Sequence, residues 1–135
     1  MGIAESGDHD MRSYHDAWGE KYVGLLTPQA DGRSNYSSQA NALFAKNLKG
    51  KLLLAHGLLD NNVSPTNTLL VVDALIKANK TFDLVVFPQA QHAYGPDASY
   101  MTRRRWDYFV RHLAGVEPPQ DYQMMPKADP RDGVL

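Results

Sequence analysis

Lys51-Leu52-Leu53-Leu54-Ala55 is apolar at every inner position and runs into the turn-forming stretch His56-Gly57-Leu58-Leu59-Asp60-Asn61-Asn62-Val63, then Ser64-Pro65. A short run without polar alternation is the pattern of a central parallel strand covered on both faces. Gly, Asp and Asn tolerate turn geometry, and Ser before Pro is a favoured cap before a favoured first helical residue, so a helix starts at Pro65. Leu69, Val72, Leu75 and Ile76 line one face of it to about Ala78, where Asn79 can make a left-handed exit. Asp83-Leu84-Val85-Val86-Phe87 reads as a second strand, stopped by Pro88. Strand, helix and strand in this order form a βαβ unit with parallel strands, and the fold class is α/β.

Upstream, Gly2-Ile3-Ala4-Glu5 is a short strand candidate ended by Ser6-Gly7-Asp8. From Asp10 to Tyr22 no Pro intervenes, and Met11, Tyr14, Trp18 and Tyr22 recur at spacings of three and four, which predicts one helix with an aromatic face, ended by Gly24. Pro28, Asp31-Gly32 and several Ser and Asn mark a loop from Leu25 to Ser38, and a short helix is expected from Gln39 to Leu48. Downstream, a last helix runs from about Ala98 to Leu113 with Trp106, Phe109, Val110 and Leu113 at core spacing and Gly115 at its end. Residues 1–116 form the folded portion. Residues 117–135 carry Pro118, Pro119, Pro126 and Pro130 and read as an extended tail.

The 135 residues are 43% hydrophobic and 21% charged, the balance of an ordinary globular chain. A formal charge of -1 gives no general pull toward nucleic acid or an anionic membrane, and neither is an expected partner. No apolar run approaches the ~20 residues of a membrane span. With no cysteine, disulfides, thiolate metal sites and a cysteine nucleophile are excluded. His9-Asp10 and His15-Asp16 suggest a metal site, but positions six apart on a helix are rotated by roughly 240°, so no metal and no cofactor is expected. Arg103-Arg104-Arg105 reads as a solvated or acid-paired helix face.

In an open α/β sheet, ligands collect outside the carboxyl ends of the strands, here the loops after Ala55 and Phe87. Asp60 lies five residues past Ala55 and His92 five past Phe87. Neighbouring strand ends are ~5 Å apart, so equal excursions can bring a carboxylate to a ring nitrogen. An Asp–His pair is the orienting half of a nucleophilic triad, and Asp before His is the α/β-hydrolase chain order. The same residues also admit plainer readings, Asp60 as a turn or capping residue and His92 as a solvated loop histidine.

The stretch from His56 to Pro65 resembles the His-Gly-x-x-Asp-x-Asn-Val stretch of the prolyl oligopeptidase family of serine peptidases, in particular its dipeptidyl peptidase IV-like branch. Phe87-Pro88-Gln89-Ala90-Gln91-His92-Ala93-Tyr94 is similar to that family's histidine loop, and Arg104-Arg105-Trp106-Asp107-Tyr108-Phe109 to its final helix. Glu5-Ser6-Gly7-Asp8-His9-Asp10 and Trp18-Gly19-Glu20-Lys21-Tyr22 resemble the segment after the nucleophile's helix. The resemblance implies the C-terminal part of an α/β-hydrolase fold, with Asp60 the triad acid, His92 the base, and Asn62 a ligand of a substrate carbonyl. It implies that Val63, Tyr14 and Trp18 line the pocket for the residue before the scissile bond, often proline. A peptide substrate and a periplasmic or extracytoplasmic parent protein follow from the same likeness.

None of Ser6, Ser13, Ser34, Ser37, Ser38, Ser64 or Ser99 has glycine two residues before and two after it, so the family's Gly-x-Ser-x-Gly elbow is absent. The family's β-propeller is absent as well. The chain is therefore expected to be a catalytic-domain fragment that is inactive alone. The strand that would lie beside Gly2–Glu5 is missing in that reading, which predicts self-association through an open sheet edge. The alternative from another class is a non-catalytic α/β interaction module whose docking surface is the helix bearing Tyr14 and Trp18.

Overall fold

A computed structural model describes residues 1–124. These fall into two compact units, residues 1–95 and the residues from Pro96 onward.

The first unit is built on a three-stranded parallel sheet in the order β1 (Gly2–Glu5), β2 (Leu52–Gly57), β3 (Asp83–Phe87). Leu54 is in register with Ala4 on one side and Leu84 on the other. As the apolar run implied, β2 is central, and Leu53 through Gly57 are buried. Alternation along β2 places Leu52, Leu54 and His56 on one face. Leu54 packs there with Ala45 and with Val71 and Leu75 of the helix α2 (Thr66–Lys77). Each such buried leucine contributes about 1.5–3 kcal/mol. Asn79 leaves α2 with φ +51, the left-handed exit expected of it.

The phase of α2 differs from the expected one. Its buried positions are Asn67, Thr68, Val71 and Leu75, whereas Leu69 and Ile76 are exposed. Two polar residues set the rotation. Thr68 Oγ1 is 2.7 Å from His56 Nδ1, and Asn67 Oδ1 accepts hydrogen bonds from Asp10 N and Ser13 Oγ. Turning Leu69 inward would break these buried bonds, and an unsatisfied buried polar group costs ~1–3 kcal/mol.

The single helix expected from Asp10 to Tyr22 is two elements. Asp10 accepts a hydrogen bond from Arg12 N and ion-pairs the Arg12 guanidinium at 2.6 Å, closing a 3-10 turn over Met11–Ser13. Such local side-chain bonds compete with helix. Tyr14 is extended, and α1 (Asp16–Val23) begins after it and ends at Gly24. The helix expected over Gln39–Leu48 is 3-10, in the segments Ser37–Gln39 and Asn41–Asn47. Bonds from each N–H to the carbonyl three residues back, Leu43 N to Ala40 O and Leu48 N to Ala45 O, close the second at its two ends.

In the second unit, α3 (Ala98–Phe109) passes into a π-turn over Val110–Ala114, capped by Gly115 at φ +68. Its buried residues are Met101 and Tyr108, seven apart and so on one stripe. Trp106, Phe109, Val110 and Leu113, expected at core positions, are exposed. Trp106 and Phe109 fall off the Met101–Tyr108 stripe, and Val110 and Leu113 lie in the π-turn, whose extra residue breaks the 3.6-residue period. Of the expected tail, residues 117–124 form no helix or strand and return along α3, Arg103 donating to Tyr122 O and Arg111 pairing with Glu117. Residues 125–135 lie outside the described residues.

Candidate active site

The site lies at the carboxyl end of β2 and β3, within the first unit. β2 continues to Gly57, so Asp60 stands only three residues beyond it, and Asp60 N donates to Gly57 O. Leu58 N and Leu59 N donate to Phe87 O and Ala90 O, stitching the loop after β2 to the loop after β3. Gly57 permits this approach, because a β-carbon there would lie 2.6 Å from Gln91 O and overlap the Ala90 carbonyl as well.

Asp60 Oδ2 is 2.8 Å from His92 Nδ1. The carboxylate is wholly buried, while the His92 side chain is 43% exposed. Asp60 Oδ1 accepts from Asn62 N at 2.9 Å and Val63 N at 3.0 Å. His56 Nε2 lies 3.2 Å from Asp60 Oδ2 and 3.0 Å from Val63 O. Burial pushes the Asp60 carboxyl up, but the His92 hydrogen bond, the Asn62 and Val63 N–H groups and the His92 charge together hold it below its ordinary value.

Donor and acceptor chemistry settles the proton positions. A carboxylate only accepts, so His92 Nδ1 carries a hydrogen, and a lone pair of the ring can lie only on Nε2. His56 Nε2 faces a carbonyl and a carboxylate, both acceptors, so it too carries a hydrogen, and its Nδ1 is hydrogen-bonded to Thr68 Oγ1. Asp60 thus receives donors from Asn62, Val63 and His92, while His56 Nε2, 3.2 Å from Oδ2, gives its hydrogen to Val63 O.

Tyr14 OH donates to Asn62 Oδ1 at 2.6 Å. Val63 is buried behind Asp60, and Trp18 is 45% exposed, its ring edge-on to Tyr14 with centroids 6.1 Å apart. Asp60, His92, Asn62 and Tyr14 are thus joined by hydrogen bonds, with Trp18 beside Tyr14. The sequence reading missed His56 and Asn67, which brace this set. His56 could have been found from strand alternation, since it shares the inward face of Leu54 and needs a polar partner there. Asn41 Nδ2 donates to His9 Nδ1, and the His15 ring meets Tyr14 edge-on.

The sequence model of the prolyl oligopeptidase family matches residues 1–116. The chain belongs to the prolyl oligopeptidase family. Within that family it is 33% identical over 92 residues to a probable dipeptidyl-aminopeptidase B of Podospora anserina, covering 67% of this chain and 10% of that protein. It is 31% identical over 80 residues to dipeptidyl peptidase 8 of Homo sapiens, covering 59% of this chain and 9% of that protein. Among solved structures, Porphyromonas gingivalis dipeptidyl peptidase 4 superposes with a TM-score of 0.67 at 30% identity, over 81% of this chain and 15% of that one. The Pyrococcus horikoshii acylaminoacyl peptidase superposes with a TM-score of 0.68 at 25% identity, over 89% and 21%. The parallel sheet and flanking helices are part of an α/β-hydrolase fold. The chain spans about a tenth of the length of the curated relatives it matches.

Proposed function

We propose that this chain supplies the acid and the base, Asp60 and His92, of a serine-peptidase triad that hydrolyses peptide bonds in the manner of a dipeptidyl- or prolyl-type aminopeptidase. The observation that carries the reading is the Asp60–His92 pair, a buried carboxylate 2.8 Å from Nδ1 of a ring whose other side is open. Asp60 fixes the tautomer that leaves Nε2 free, and it stabilises the imidazolium formed when Nε2 takes the nucleophile's proton. His92 then returns that proton to the leaving amine.

The nucleophilic serine comes from outside these 135 residues, since none of the seven serines sits in a Gly-x-Ser-x-Gly elbow. Asn62 gives its side-chain oxygen to Tyr14, which leaves its amide NH2 to bind a substrate carbonyl. Tyr14, Trp18 and Val63 form the wall of the pocket for the residue before the scissile bond. The names of the relatives support peptides with a free amino end as the substrate class.

The test uses the protein expressed from its full coding sequence, a dipeptidyl chromogenic substrate and a serine-directed fluorophosphonate. Turnover that falls by orders of magnitude in His92→Ala is expected, with the label on a serine beyond this sequence. Stoichiometric labelling of any of the seven serines here, or full turnover without His92, overturns the reading.

A further inference from the structure

We propose that Ser6 and Tyr94 are positioning residues that hold the backbone at His92 so that its ring stays on Asp60. The inference rests on the reading of His92 as the base and names what keeps that base in place. Four non-glycine residues among those described have positive φ: Ser6 at +44°, Asn79 at +51°, Tyr94 at +62° and Asp121 at +54°. Asn and Asp tolerate the left-handed region through short polar side chains that bond locally. Ser6 and Tyr94 have less intrinsic reason to adopt it, and these are the two that converge on His92. Such a conformation persists only where surrounding contacts over-determine it.

Those contacts are specific. Ser6 directly follows β1, is buried, and donates through N to Ala55 O at 2.9 Å. Its Oγ donates to the backbone oxygen of His92, also at 2.9 Å. Because β2 lies between β1 and β3, this bond crosses the end of the central strand, roughly 10 Å from strand to strand. Tyr94 is buried two residues past His92, with its ring against Phe87 at a centroid distance of 4.6 Å. Its hydroxyl lies 3.4 Å from both Ser6 Oγ and Ala55 O. The ends of all three strands therefore meet around the Ala55 carbonyl, and the His92 backbone is tied to that point while its ring reaches Asp60. A half-exposed loop histidine would otherwise sample several rotamers, and each excursion would leave Asp60 without its donor.

The test combines NMR of the His92 ring in this chain with kinetics on the protein from its full coding sequence. Ser6→Gly removes the hydroxyl yet relieves the positive φ, so its thermal midpoint is not lowered by backbone strain. Tyr94→Phe keeps the ring on Phe87 and removes only the hydroxyl. Both variants are expected to speed solvent exchange of the His92 Nδ1 hydrogen about fivefold, the worth of one ordinary hydrogen bond, and to lower kcat by a similar factor with KM retained. Asn79→Gly, which relieves a positive φ remote from His92, leaves both readouts unchanged. If Ser6→Gly fails to fold, Tyr94→Phe carries the test alone. Unchanged exchange and unchanged kcat overturn the proposal even where His92→Ala abolishes hydrolysis. Faster exchange in a protein that hydrolyses no peptide supports the positioning role and overturns the reading of His92 as the base.

Discussion

Asp60 and His92 stand 32 positions apart in the chain, yet Asp60 Oδ2 and His92 Nδ1 are 2.8 Å apart, with the carboxylate sealed from solvent and the ring partly open to it. The burial is asymmetric in the useful direction. A sealed carboxylate keeps its charge because three donors meet it, while the far nitrogen of an open imidazole stays accessible.

Asp60→Asn is expected to keep the shape of the site and lose its chemistry. An amide NH2 facing His92 favours the tautomer with hydrogen on Nε2, so His92, the proposed base, has no lone pair for a nucleophile. In the protein from its full coding sequence kcat should fall by on the order of 10⁴ with the fold retained. Retained turnover would show that Asp60 only shapes its turn.

Gly57→Ala should be far more disruptive than its size suggests. The added carbon meets the backbone carbonyls of Ala90 and Gln91, and backbone cannot rotate away as a side chain can. A loss of about 1–3 kcal/mol in urea unfolding, with displaced His92 resonances, is expected. A wild-type midpoint would mean that the loops after β2 and β3 move apart freely.

Stability should begin to fall at mildly acidic pH because of His9. Its ring is buried, and desolvation, with a smaller contribution from the His56 charge, lowers its pKa from 6.5. The unfolded chain then takes up the proton first. Stability is full above about pH 6.5 and declines as pH drops toward the folded value. Asp60 acts in a separate, lower window: its folded pKa is depressed, so its contribution is full above the unfolded value near 3.9 and is lost as pH falls through the folded one. Urea midpoints between pH 7 and 5 should slope in the wild type and flatten in His9→Gln; equal slopes count against His9.

Tyr14→Phe removes the hydroxyl bond to Asn62, an exposed contact, and should change stability little. In the proposed pocket it frees Asn62 and should raise KM about two- to tenfold with kcat nearly unchanged, as expected for the loss of one hydrogen bond. An unchanged KM would remove both residues from the substrate site.

We also propose that the 135-residue chain self-associates. Among the described residues β1 pairs with β2 alone, which makes it an edge strand of the sheet. Leu69, Leu70 and Ile76 of α2 add exposed apolar surface. Light scattering after gel filtration should report a dimer or larger species, and a monodisperse monomer would sink the idea.

Composition, strand runs and turn residues determined the α/β class, the βαβ unit from Leu52 to Phe87 and the central place of β2, because an uninterrupted apolar run has few other places to go. The offsets of Asp60 and His92 from their strands were enough to bring the two loops into question together. Periodicity, however, reports which residues share a face and not which face meets a neighbour. The rotation of α2 onto Asn67 and Thr68 was decided by hydrogen bonds to Ser13 and His56, residues 54 and 12 positions away. The break at Tyr14 came from Asp10 closing on Arg12, and α3 buries Met101 and Tyr108 in place of the expected aromatic stripe. The tie from Ser6 to His92 spans 86 positions and has no local signature at all. Such bonds form between groups that only the folded chain makes neighbours, and their geometry belongs to the tertiary structure alone.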